Sequence, residues 1–170
     1  MSGFNFDIGL IEGDYADPTT EVIRLGSFRH VCLIPAGHPL ASGKGALRLQ
    51  DFEDQPFVSL GPKDPYRLIL DRMFDEAGVR RRMPVSMQSA NGACEMVRNG
   101  IGLSILNPLT ALGYLGERVA LRGFAQAPGF EVSALHPVDR PRVDSAGRLT
   151  AYLKEICAEM QDRLTSLGLT

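Results

Sequence analysis

The amino-acid sequence predicts an α/β fold, on three observations. Short apolar, β-branched runs alternate with amphipathic helical runs along the chain. Several run-to-helix junctions carry a capping residue, and at two of them proline follows at once. The 170 residues are 44% apolar and 22% charged, a composition able to bury a core in one domain or in two small lobes.

The first strand is expected within residues 6–11, ending at Gly13 and Asp14. Residues 21–25 and 28–34 read together as one long strand able to pass between lobes. Pro35, Gly37 and Pro39 break that pattern, residues 47–52 suit a short helical turn, and residues 56–60 read as a buried strand. Asp64 and Pro65 then start a helix with an apolar stripe of Leu70, Met73, Phe74 and Ala77, stopped at Gly78.

The same cycle follows twice more. Residues 85–88 form a short strand, and Ser89 or Asn91 caps a helix carrying Ala93, Met96 and Val97 that ends at Asn99 and Gly100. Residues 103–106 form a strand, and Asn107 with Pro108 starts another helix. Strands around residues 119–121 and 130–135 precede the last helix. Asp144 or Ser145 should cap it, and Leu149, Leu153, Ile156, Met160, Leu164 and Leu167 should pack on a sheet. Residues 137–141 read as a polar loop.

A formal net charge of -2 argues against a nucleic-acid surface. No segment nears the ~20 consecutive apolar residues that span a bilayer, so no membrane association is expected. The start lacks a basic end and an apolar stretch of signal-peptide type, which makes a cytoplasmic location the expectation. Cys32, Cys94 and Cys157 lie far apart among apolar residues and read as reduced core thiols. Neither they nor His30, His38 and His136 have metal-ligand spacing, and no cofactor is expected.

Catalytic signatures are lacking. The sequence has no G-x-S-x-G elbow, phosphate-binding loop or G-x-G-x-x-G, and Gly100 and Gly102 stand between helix and strand, the wrong order for dinucleotide binding. Asp51, Glu53 and Asp54 read as a solvated loop without a basic partner, and Arg80, Arg81 and Arg82 as a surface turn. The chain is therefore expected not to be an enzyme.

Three strand-to-helix junctions share one design: Ser59, Leu60 and Gly61 to Asp64 and Pro65; Gln88 and Ser89 to Asn91; and Leu106 to Asn107 and Pro108. Each leaves backbone N–H groups unpaired at a helix start, where the dipole favours an anion. In open α/β sheets such junctions lie at the carboxyl edge of the strands, where ligands bind. Any α/β domain has capped helices there, so both a ligand site and plain capping fit these residues.

Several segments resemble LysR-type transcriptional regulators: residues 6–10, Phe-Asp-Ile-Gly-Leu; residues 31–41, with the core Pro-Ala-Gly-His-Pro-Leu-Ala; Pro56, Phe57 and Val58; and residues 96–105, Met-Val-Arg-Asn-Gly-Ile-Gly-Leu-Ser-Ile. Their order and spacing also match, over nearly the whole chain. The resemblance implies the effector-binding domain of such a regulator, a two-lobed fold like the type II periplasmic binding proteins, with lobe 1 from residues 1–28 and 124–170 and lobe 2 from 29–123. It implies a small-molecule effector in the cleft and a homo-oligomer. The family's helix-turn-helix and the first strand and helix of its effector domain are not among these residues. The fold is thus expected to be incomplete at the N-terminus, with no direct DNA binding. The Ile-Glu-Gly and Asn-Pro segments look like regulators that sense amino-acid derivatives such as opines. By the resemblance the cleft positions are Ile11, Glu12, Ser59, Leu60, Gly61, Ser89, Ala90, Asn91 and Asn107; Glu12 fits either a partner for a ligand ammonium or an ordinary exposed loop acid. A stand-alone solute-binding protein of the same fold is the alternative.

Overall fold

The computed structural model describes residues 6–139, 141 and 143–169. The first five residues, read above for a leader, lie outside them. The chain divides into two compact units, one of Met1–Phe28 with Gly129–Arg163, the other of Arg29–Pro128 with Leu164–Thr170. The division thus falls before Gly129 instead of at residue 124, and the last residues belong to the second unit.

The first unit holds a three-stranded sheet with β8 (Gly129–Pro137) between β1 (Gly9–Glu12) and β2 (Thr20–Arg29). β1 runs antiparallel to β8, with Ile11 opposite Ser133 and Glu12 opposite Val132. Phe28 and Phe130 stack with ring centroids 5.8 Å apart. Helix α4 (Asp144–Ser166) follows β8. Asp144 is its first helical residue, not a cap preceding it; the Val143 carbonyl accepts from the Ala146 and Gly147 N–H groups.

Of the expected stripe of α4, Leu164 is buried and Leu153, Ile156 and Met160 are half-buried, whereas Leu149 and Leu167 are each 43% exposed. Ala146, Thr150 and Cys157 are buried beside it. The Thr150 hydroxyl donates to the Ala146 carbonyl at 2.9 Å and so accepts from Nε2–H of buried His136 at 2.8 Å.

The second unit carries two sheet segments. One has β3 (Val31–Pro35) between β6 (Ser104–Leu106) and β7 (Val119–Gly123), both antiparallel to it. The other pairs β4 (Pro56–Leu60) with β5 (Arg82–Met87) in parallel. The long strand expected from residue 21 onward is two strands, interrupted at His30. A parallel bridge from Phe57 to Leu103 joins the segments. The Val58 and Leu103 N–H groups donate to the Leu103 and Pro56 carbonyls at 2.8 Å each, and the Ser104 hydroxyl donates to the Val58 carbonyl at 2.8 Å.

Helix α1 (Pro65–Glu76) follows β4 and α2 (Ala90–Arg98) follows β5. Asp64 accepts the N–H groups of Tyr66 and Arg67, Pro65 is the first helical residue, and Leu70 and Phe74 are the buried members of the stripe. The core is aromatic: Phe52 meets Phe57, Phe74 and Phe124 edge-on, at centroid distances of 5.9, 5.7 and 6.0 Å. Quadrupoles favour such edge-to-face contacts over sandwiches. All three cysteines are buried and unpaired with one another.

Two charged groups depart from expectation. Arg81 is not on a surface turn. Its side chain is 5% exposed and donates to Asp71 at 2.7 Å, and β5 starts at Arg82. Nor does the acidic loop lack a basic partner, since Asp54 pairs with Arg80 at 2.8 Å and Glu53 accepts the Arg80 N–H at 3.0 Å.

Candidate functional site

Parallel pairing settles where the three junctions lie. Ser59 stands opposite Ser86 and Leu60 opposite Met87, while the Phe57–Leu103 bridge aligns β4 with the strand that leads to Leu106. The carboxyl ends of β4, β5 and β6 therefore share one sheet edge. Ser59, Leu60 and Gly61, then Ser89, Ala90 and Asn91, then Asn107, are brought to it. Ile11 and Glu12 belong to β1 in the other unit, with Ile11 half-buried and Glu12 exposed.

The three helix starts are not equivalent. At α1 the Asp64 carboxylate accepts from the Tyr66 and Arg67 N–H groups at 2.9 and 3.0 Å. A negative group already occupies that helix end. At Asn107 the side chain accepts the Leu109 N–H at 2.8 Å, but α3 (Pro108–Ala111) is one turn that passes into a 3-10 turn at Leu112–Tyr114. So short a helix sums little dipole, which corrects the expectation of a full helix there. Only α2 keeps the expected design. Its nine residues start behind Ser89, whose neutral hydroxyl accepts the Gly92 N–H at 3.2 Å. The N–H groups of Ala90 and Asn91 have no acceptor inside the helix by helix geometry. Ser89 and Asn91 are exposed, so these donors border open solvent.

Ser59 is buried at 3% exposure at the end of β4. Gly61 is also buried, and the Gln88 side chain lies over it: a Cβ at Gly61 would stand 3.0 Å from Gln88 Oε1. Gln88, part of the second junction in the sequence pattern, thus lies at the edge.

Arg67, which capping patterns do not single out, brings a positive charge to this edge beside the Asp64 carboxylate. Its Nη1 donates to the Leu60 carbonyl at 2.8 Å and its Nε to Asp71 at 3.1 Å. The signal is present in the sequence, because Arg67 and Asp71 are four residues apart on one helix face.

Three concavities of this unit lie away from the edge: one of about 450 Å³ beside Glu95, Arg98, Tyr114 and Arg118, one of about 340 Å³ beside Phe74, Val79 and Arg81, and one of about 190 Å³ beside His30, Phe124 and Leu169. Among the described residues no group of three His, Cys, Asp or Glu side chains could hold a metal ion, and no helix is long and apolar enough to cross a membrane.

The LysR substrate binding domain profile matches residues 3–158. The chain is 40% identical over 167 residues to the transcriptional activator protein LysR of Escherichia coli (strain K12), covering 98% of this chain and 52% of that protein. It therefore spans about half the length of that relative. Among solved structures it is similar to the CcmR regulatory domain of Synechocystis PCC6803 in complex with 2-PG, at TM-score 0.70 and 15% identity over 90% of this chain and 74% of that one. It is also similar to the effector binding domain of QuiR in complex with shikimate, at TM-score 0.65 and 15% identity over 91% and 73%. At these identities the structural likeness concerns the fold.

Proposed function

The chain belongs to the LysR substrate binding domain family, and from that premise we propose that it senses a small carboxylate of the amino-acid type for a transcription regulator, at the edge formed by β4, β5 and β6. The observation that carries this reading is the contrast among the helix starts. Of the three, α2 alone is longer than one turn and starts behind a neutral cap, Ser89, with the Ala90 and Asn91 N–H groups unpaired inside the helix. A ligand carboxylate bound there would meet the Ala90 and Asn91 amides, and Gln88 and Asn107 would supply amide groups beside it.

The bound shikimate of the QuiR domain supports a carboxylate as the ligand class. In this reading the chain is not catalytic and assembles as an oligomer. It reaches DNA only through a separate DNA-binding part of the regulator.

Thermal unfolding with L-glutamate, L-arginine, an arginine-derived opine, benzoate and shikimate tests the proposal. A ligand at ~100 times its dissociation constant adds about 2.7 kcal/mol. In a chain of this size that raises the melting temperature by roughly 5–10 °C. Ser89→Ala should cost about 1 kcal/mol through the lost cap. Ser59→Ala should leave the unliganded protein within about 1 kcal/mol of the parent. Both should shrink the ligand-induced rise. If none of these compounds shifts the melting temperature, the proposal fails.

A further inference from the structure

The Leu60–Gly61 peptide at the end of β4 is held by a chain of charged groups that begins in the aromatic core. The Arg81 guanidinium lies over the Phe57 and Phe74 rings, 4.9 and 3.9 Å from their centroids. From there it donates to Asp71 Oδ1 at 2.7 Å. The other oxygen of Asp71 accepts from Arg67 Nε at 3.1 Å, and Arg67 Nη1 reaches the Leu60 carbonyl at 2.8 Å. Asp71 thus sits between two arginines, and each of its oxygens receives one of them.

The placement of Arg67 runs against local preference. It is the third residue of α1, where the helix dipole disfavours a cation. Asp64 is engaged with the helix backbone and makes no ion pair with the Arg67 guanidinium, so its charge does not explain the site. Residues that break a local rule while fully engaged elsewhere mark functional or strained positions. What Arg67 holds is a single carbonyl. Because a peptide is planar, the direction of the Leu60 carbonyl also sets the direction of the Gly61 N–H. Asp71 and the Leu60 carbonyl take the two ends of the guanidinium fork, a geometry that lysine cannot reproduce with one ammonium.

We propose that Arg67 is a positioning residue for effector recognition: braced by Asp71 and Arg81, it holds the plane of the Leu60–Gly61 peptide, so that the half-buried Leu60 and the turn leading from it into α1 keep one fixed position at the edge. This rests on the reading of the β4–β5–β6 edge as the effector site.

The test measures, by calorimetry, the dissociation constant of whichever compound among L-glutamate, L-arginine, the arginine-derived opine, benzoate and shikimate binds the parent chain most tightly, alongside unliganded stability. Arg67→Gln is expected to raise that constant at least tenfold. Asp71→Asn should do the same, because it frees the Nε end of the fork, and Arg67→Lys should fall between. Leu70→Ala is the control, since it destabilises α1 from the core side without touching the clamp, and it should leave the constant within about twofold. If Arg67→Gln does not fold, Arg67→Lys carries the comparison. Parental affinity in the clamp variants overturns the positioning role while the edge remains the effector site. So does a loss in Leu70→Ala equal to theirs, which would make the effect one of stability alone. Absence of binding to the parent chain by all five compounds overturns both readings.

Discussion

The guanidinium carbon of Arg81 rests 3.9 Å from the centre of the Phe74 ring, inside what is otherwise the aromatic core of the second unit. Burial lowers the pKa of this arginine, with Asp71 opposing the shift. Arg81→Ala removes a stacked cation and leaves a gap beside Phe57 and Phe74, so it should cost about 2–3 kcal/mol. Arg81→Met keeps most of the packing, and Asp71 retains Arg67, so its cost should stay below about 1.5 kcal/mol. Urea unfolding followed by circular dichroism separates the two. Equal losses would mean that the charge, not the packing, is what matters there.

His30 links pH to stability. Its Nδ1–H donates to the Pro128 carbonyl at 2.9 Å, and its ring tilts against Tyr66 with centroids 4.4 Å apart. Burial pushes its pKa below the usual 6.5, although the Pro128 hydrogen bond and Asp64 act the other way. A depressed histidine binds its proton more weakly in the folded than in the unfolded chain. Its stabilising contribution is therefore present above pH 6.5 and is lost as pH falls through the lowered folded value. Melting temperature should drop on acidification from pH 7 to 5, and His30→Asn, which keeps a donor for Pro128, should show a shallower drop. An unchanged slope in the variant would assign the acid sensitivity to other groups.

The cysteines should be chemically silent. Burial pushes the Cys94 thiol up to about 12, and raises Cys32 and Cys157 as well. At pH 8 the thiolate that attacks a disulfide reagent is nearly absent, and the sulfurs are covered. A colorimetric disulfide reagent should release no colour from native protein within minutes and three equivalents after denaturation. The shift is upward for an acid, so stability should hold below about pH 9 and decline above it, where the unfolded chain ionises first. Rapid native reaction of one thiol would show that its element opens easily.

The local grammar of the chain is legible in its sequence, and its long-range charges are not. Asp64 with Pro65, the stop at Gly78 and the Ser89 cap are short-range events, decided by backbone donors and by residues within one turn, and the structure has each where the pattern puts it. Asp54 finds Arg80 across 26 positions in sequence. Arg81 finds two phenylalanines only because β5 starts beside β4. No periodicity carries such information. In α4 the apolar spacing marks the line through Leu153, Ile156, Met160 and Leu164, but the buried polar pair His136–Thr150 is invisible to it. At the candidate edge, the positions of Ser59, Ser89 and Asn107 follow from strand-helix punctuation. The difference among their helix ends depends on the Asp64 carboxylate capping two amides and on α3 stopping after one turn.

Gly102 makes a close backbone approach at the amino end of β4, the end of that strand away from the candidate edge. A Cβ there would stand 2.5 Å from the Pro56 carbonyl oxygen and 2.7 Å from its carbon, both backbone atoms that cannot swing aside as a side chain end can. The approach is close because Leu103, the next residue, exchanges hydrogen bonds with Pro56 and Val58 and so stitches β4 to the strand before Asn107. Alanine at this position must push the two strands apart or break those bonds. Overpacking of this kind, against backbone on one side and a buried core on the other, should cost about 3 kcal/mol or more. Gly113 is the comparison, because a methyl added there would meet nothing within 4 Å. Gly113→Ala should remain within about 1 kcal/mol of the parent. The two variants add the same methyl group, so a difference between them isolates strand contact from the entropy of the unfolded glycine. Any folded Gly102→Ala protein should also lose the ligand-induced rise in melting temperature, because the displaced strand carries Ser59 and Leu60. Urea midpoints for both variants, with and without a compound that stabilises the parent, decide the matter. Equal midpoints would show that β4 is free to shift and that the edge is not built on this contact.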